Sequence, residues 1–100
     1  MAMKTIISKG EKTLDEVFEN HKSEIYDQIL TSIQENYSTL HSDPIQILKI
    51  STELVDYSIN LDRNKFITSL NKCIKFFEST EEYEKCQECV DLISKIKINQ

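Results

Sequence analysis

Residues 43–60 read DPIQILKISTELVDYSIN, and the fold turns on them. Asp43-Pro44 is a helix-start signal, with Asp as N-cap and Pro at the first helical position, where its missing N–H costs nothing. Ile45, Ile47, Leu48, Leu54, Val55 and Ile59 then recur, and Ile50 and Tyr57 widen the apolar arc. Read at helical spacing, this predicts a helix over 44–60 with neighbours on more than one side. A central helix there makes the whole chain an all-α, four-helix-bundle-like domain.

Upstream, Thr13-Leu14-Asp15-Glu16 has the form of a capping box, in which Thr13 accepts from the Glu16 amide. Asp15, Glu16 and Glu19 sit where the helix dipole favours negative charge. Apolar residues follow at Leu14, Val17, Phe18, Ile25, Tyr26, Ile29, Leu30, Ile33 and Tyr37, a stripe that passes through His21. This predicts a helix over about 14–37. Ser38 to Asp43 forms a polar break. Residues 1–12 contain only the short apolar patch Thr5-Ile6-Ile7 before Lys9-Gly10. In an all-helical chain a strand there has no partner, so 1–12 reads as an arm and 13–100 as one helical domain. Met3 reads as the natural start, with Met1-Ala2 a cloning remnant.

Downstream, Asp62 can cap a third helix over 63–77, with Phe66, Ile67, Leu70, Cys73, Ile74 and Phe77 as its stripe. Ser79-Thr80-Glu81-Glu82 offers a second capping box, from Ser79 to Glu82, opening a fourth helix over 80–97 with Tyr83, Cys86, Val90, Ile93 and Ile96 on one face. So short a connection forces an antiparallel αα-hairpin.

Composition narrows function mainly by what it lacks. The chain has 100 residues, 39% apolar, with one Gly, one Pro and no Trp. One glycine excludes the Walker and dinucleotide fingerprints, which need several at fixed positions. No run approaches the ~20 apolar residues of a transmembrane helix, and the start has no signal-peptide core. Net charge is −5. Through Asp62 there are eleven acids against five lysines, a net of −6; from Arg63 onward seven bases face six acids, a net of +1. An acidic chain with one Arg is a poor match for phosphate backbones, which argues against direct nucleic-acid binding. The Ile- and Lys-rich usage is that of an AT-rich coding genome and points to a phage or low-GC bacterial source.

No catalytic constellation is legible. Cys86-Gln87-Glu88-Cys89 has redox-motif spacing but falls inside a helix rather than at a strand-to-helix opening. Zinc would need Cys73, Cys86, Cys89 and either His21 or His41, a spacing that fits no familiar zinc pattern. Cys73 and Cys86 read instead as small contact residues between paired helices, and the odd, leaderless set of thiols suits a reducing compartment. His21 reads as a packing residue. His41-Ser42-Asp43 is contiguous and so cannot form a triad, which needs convergence from separate elements. The pairs Asp15/Glu16 and Glu81/Glu82 sit in first turns, where the dipole accounts for them. The expectation is therefore no enzyme, no metal and no cofactor.

The segment Leu70–Lys97, LNKCIKFFESTEEYEKCQECVDLISKIK, resembles the UVR motif, a helical hairpin of nucleotide-excision-repair proteins and some bacterial kinase regulators. The likeness rests on Tyr83-Glu84-Lys85-Cys86, where the motif has aromatic-Glu-Lys-Ala, and on Asp91 followed by Ile93 and Ile96. Val90 stands where the motif has Arg. The same stretch is equally similar to one tetratricopeptide unit, but no second copy lies about 34 residues earlier, so no repeat array follows. Either resemblance implies a protein-binding hairpin without catalysis of its own.

The sequence thus points to a small acidic interaction protein of the cytoplasm (the host's, for a viral chain): a phage or bacterial regulator or inhibitor docking on a larger partner. Alternatives are a structural homo-oligomer, such as a homodimer, and a UVR-like adaptor. The expected partner is a protein with a basic surface, and neither nucleic acid nor membrane. Candidate partner-binding residues are Asp15, Glu16, Glu19, Glu24, Asp27, Tyr83, Glu84 and Asp91.

Overall fold

The computed structural model describes residues 4–8, 10–11, 13–37 and 44–98. It is an α+β fold. Strand β1 (Lys4–Ile7) leads into helices α1 (Leu14–Asn20) and α2 (Lys22–Asn36). Strands β2 (Ile45–Ser51) and β3 (Asp56–Leu61) follow, then a 3-10 turn (Arg63–Lys65) and helices α3 (Phe66–Ser79) and α4 (Tyr83–Ile98).

The expected helix over 44–60 is a β-hairpin, and this overturns the all-α bundle. Asp56-Tyr57-Ser58-Ile59-Asn60-Leu61 alternates polar and apolar at period two, and Tyr57, Ile59 and Leu61 are half-buried while Asp56, Ser58 and Asn60 are exposed. In β2 the alternation slips once. Ile45, Leu48 and Ile50 pair with Leu61, Ile59 and Tyr57 on the covered face, and the register shifts between Gln46 and Leu48. Ile47 is the extra residue of that bulge and is itself buried. The slip puts Ile45 and Leu48, and Ile47 and Ile50, three residues apart, a spacing that also fits a helix. β-branched and aromatic side chains settle the segment as strand once a sheet face can be packed.

The hairpin turns without glycine. The Thr52 hydroxyl accepts from the amides of Leu54 (3.3 Å) and Val55 (3.1 Å) and donates to the Val55 carbonyl (2.8 Å). The Thr52 amide also donates to that carbonyl. A side chain here supplies the local closure that glycine supplies elsewhere.

With β2 a strand, Thr5-Ile6-Ile7 has a partner. β1 pairs parallel to β2, placing Ile6 opposite Ile50, in a sheet of order β1-β2-β3. The expected arm is thus a sheet edge over residues 4–7. The Ser8 amide continues the ladder to the Ser51 carbonyl at 2.7 Å. Parallel neighbours need a long crossover, and α1 with α2 provide it. Gly10, the chain's only glycine, takes φ +94°, a left-handed conformation that glycine enters without strain.

The helices differ from expectation at their ends. Thr13 caps α1 as foreseen, its hydroxyl accepting from the Glu16 amide at 3.2 Å. The single helix over 14–37 is broken at His21, whose φ/ψ of −125°/28° closes α1 and opens α2. Asp62 starts the 3-10 turn through its backbone carbonyl, and its side chain makes no cap bond. Ser79 is the last residue of α3 rather than a cap of α4; its hydroxyl donates back to the Phe76 carbonyl. The turn into α4 is a Schellman closure. The Glu82 amide bonds the Phe77 carbonyl and the Glu81 amide the Glu78 carbonyl, with Glu81 at φ 61°. The αα-hairpin itself is present. The expected cap Asp43, the break at 38–43 and His41 lie outside the described residues.

One core joins the layers. Ile6, Ile45, Leu48 and Ile50 of the sheet meet Val17, Ile25, Leu30 and Ile33 of α1 and α2, Phe66, Leu70 and Phe77 of α3, and Leu92 and Ile96 of α4. Burying each such side chain contributes about 1.5–3 kcal/mol. α2 packs on both β2 and α3, so it carries the sheet on one side and the hairpin on the other. The outer sheet face, with Thr5, Gln46, Lys49, Ser58 and Asn60, is exposed. Among the described residues no helix is long and apolar enough to cross a membrane.

Candidate functional site

The seam between α2 and α3 is concave. On α2, Lys22, Ile25, Tyr26 and Ile29 lie at helical spacing along one face, and Phe18 of α1 extends it past the His21 break. On α3, Ser69, Lys72 and Phe76 face them. The first part of the groove, about 360 Å³, runs along Phe18, Ile25, Tyr26 and Ile29. The second, about 300 Å³, lies between Lys22, Lys72, Lys75 and Phe76. Lys22, Tyr26 and Lys72 line both, so the two are continuous.

The floor is apolar with stacked rings beside it, and lysines line the rim. The Tyr26 and Phe76 rings stack at 4.6 Å between centroids and 19° between planes, and Phe76 meets Phe77 edge-on at 5.6 Å. The buried Cys73 thiol points at the Tyr26 carbonyl, 3.8 Å away. Among the described residues Lys22 has one partner, Glu19 at 2.9 Å, in an exposed i,i+3 pair worth little in water. Lys72 and Lys75 make no ion pair among the described residues. Lys85 contrasts with them. Its ammonium lies 2.7 Å from Asp27 and 3.0 Å from Glu82, and 5.3 Å from the Phe77 ring centroid. The hydrogen bond it donates to Asp27, then the one it donates to Glu82, raises its pKa.

The eight acidic and aromatic residues singled out from sequence fall on three helices. Asp15, Glu16 and Glu19 are exposed on α1. Glu24 is exposed at the start of α2, 3.3 Å from His21 Nδ1. Asp27 is half-buried and already engaged by Lys85, which is the contact that brings α2 to the start of α4. Tyr83 (64% exposed) and Glu84 stand in the first turn of α4. Asp91 accepts from Gln87 at 2.9 Å and borders a shallow depression with Gln34, Tyr37, Glu88, Leu92 and Lys95. The groove residues Lys22, Lys72, Lys75 and Phe76 escaped the sequence reading. The excess of bases after Asp62 is a sequence signal for Lys72 and Lys75 alone, because the groove exists only once α2 and α3 are side by side.

Two polar clusters invite a chemical reading. The Ser8 hydroxyl, buried, donates to Glu11 Oε2, while Glu11 Oε1 lies 3.2 Å from His21 Nε2. The hydroxyl thus touches a carboxylate and not the imidazole, so the order of groups is not that of an activated serine. The cluster instead ties the end of β1 to the α1–α2 break. The Ser8 hydrogen bond, against some desolvation and with help from His21, lowers the Glu11 pKa. Burial works against charge on His21, but hydrogen bonds and charges from Glu24 and Glu11 outweigh it, and its pKa is raised.

The second cluster is the cysteines, all three free thiols. Cys73 and Cys89 are fully buried where α3 meets α4, and Cys86 is half-buried with its sulfur 3.6 Å from the Ile74 carbonyl. The hydrogen bond with Cys89, then burial, pushes the Cys73 thiol far up. The same hydrogen bond lowers the Cys89 pKa, so the protonated packing group of the pair is the Cys73 thiol.

No family model, curated protein or solved structure matches the chain.

Proposed function

We propose that this chain is a small regulatory interaction protein that docks on a larger protein partner through the groove between α2 and α3. The observation that carries the reading is the groove itself: an aromatic and aliphatic floor beside three lysines, two of them without an ion pair among the described residues. Apolar concavities with a few placed polar groups are where proteins hold ligand side chains. The partner's charge follows from this rim rather than from the net charge of the chain. Three unpaired thiols fit a reducing, cytoplasmic setting.

The test is affinity capture from lysate with three baits: the wild-type chain, Lys72→Glu/Lys75→Glu in the groove, and Lys49→Glu on the outer sheet face. A partner recovered by the first and third but lost by the second supports docking at the groove. Equal recovery by all three, or no partner for any, overturns it.

A further inference from the structure

We propose that the groove takes an acidic amphipathic segment of the partner, with an apolar side chain on the floor of Phe18, Ile25 and Ile29 and carboxylates on Lys22, Lys72 and Lys75. This rests on the docking reading above and adds the chemistry of the occupant.

Charge complementarity decides the sign. The chain carries −5 overall, yet the groove mouth gathers ammonium groups from both of its walls: Lys22 from α2, Lys72 and Lys75 from α3. Of the acids near the groove, Glu19 pairs with Lys22, Glu24 with His21 and Asp27 with Lys85, which leaves Glu78, one turn beyond Lys75 on α3, as the acid facing the lysines from their own helix. The net negative charge acts on an approaching acidic segment only at long range, and that is screened beyond about 8 Å at physiological salt. At contact the lysines dominate.

The floor decides the shape. It is built from Phe18, Ile25, Tyr26 and Ile29, so a purely ionic ligand leaves it uncovered. An amphipathic helix offers both features, with apolar anchors one turn apart and carboxylates flanking them. A single-stranded nucleic acid is the rival occupant, since lysines beside aromatic rings can hold phosphate and stack bases. Tyr26 and Phe76, however, are stacked on each other, so each has one ring face already covered. The aliphatic part of the floor offers bases no partner.

The probe is a fluorescein-labelled helical peptide with glutamates flanking a leucine–phenylalanine pair one turn apart. Its controls are a lysine-for-glutamate analogue, a serine-for-Leu/Phe analogue and an oligothymidylate. The acidic peptide should bind, both peptide analogues should bind at least about tenfold more weakly, and Lys72→Glu/Lys75→Glu should lose at least about tenfold in affinity. Amide shifts should cluster at Lys22, Tyr26, Lys72 and Phe76, and amide-spectrum dispersion checks that the variant folds. Binding unaffected by the variant, shifts elsewhere, or tighter binding of oligothymidylate overturns the proposal. If the captured partner depends on Lys72 and Lys75 while the acidic peptide does not bind, the docking site stands and the occupant assigned to it is wrong. If neither depends on them, both fail.

Discussion

The side-chain amide of Gln28, on α2, donates to the backbone carbonyl of Ile47 at 3.0 Å. Ile47 is the bulge residue of β2, where the ladder to β3 skips a step. A bulge leaves a backbone group without its ladder partner, and here a helix side chain supplies one. The same amide lies 3.3 Å from the buried Ser32 hydroxyl. One glutamine thus fastens the crossover helix to the irregular point of the central strand.

Replacing Gln28 by Leu keeps much of the side-chain volume and removes the donor. The Ile47 carbonyl then loses its partner, which costs about 1–3 kcal/mol. The urea midpoint should fall with an unchanged slope, because no additional surface is exposed on unfolding. A midpoint equal to wild type would mean that the bulge does not depend on this bond.

Glu81 sits at φ 61°, the left-handed position of the Schellman closure between α3 and α4. A residue with a Cβ is strained there by about 1–2 kcal/mol, and glycine is not. Glu81→Gly should therefore stabilise the protein by roughly 1 kcal/mol, less what glycine adds to unfolded-chain entropy. Thermal unfolding reads this directly as a raised midpoint. A lowered midpoint would show that the Glu81 side chain contributes more than the strain.

The pH dependence at the α1–α2 break follows from His21 and Glu11. The folded-state pKa of His21 is raised, so its contribution to stability is complete below its unfolded value and is lost as pH rises through the folded one. That of Glu11 is lowered, so its contribution is present above its unfolded value and is lost as pH falls through the folded one. Stability from this cluster should be greatest between the two titrations, in mildly acidic solution. In an NMR titration the His21 ring should titrate above an unperturbed histidine, and Glu11→Gln should bring it down. A His21 midpoint indifferent to that substitution would detach the two groups.

Much of the helical half was legible from local sequence. The Thr13 cap, the apolar stripe from Val17 to Ile33 and the α3–α4 hairpin all stand in the structure. Each is specified within a few residues: a hydroxyl reaching an amide three residues on, or side chains repeating every three or four positions. The alternation in Asp56–Leu61 was equally local and marks a strand, but the slip at Ile47 made the preceding segment fit helical spacing.

The strands were decided only by the tertiary structure, and the two misread segments depend on each other. A strand's backbone groups are satisfied by another strand. Thr5-Ile6-Ile7 has a ladder only if residues 45–51 are extended, and those residues bury their face only if α2 lies across them. Residues 45–61 therefore settled the fold as a strand pair, though only the alternation in Asp56–Leu61 marks a strand locally and nothing within 45–51 requires one. The groove is non-local in the same way. Lys22 and Tyr26 were readable as helix positions and Lys72 and Phe76 as others, but their meeting depends on α2 and α3 packing across some fifty intervening positions.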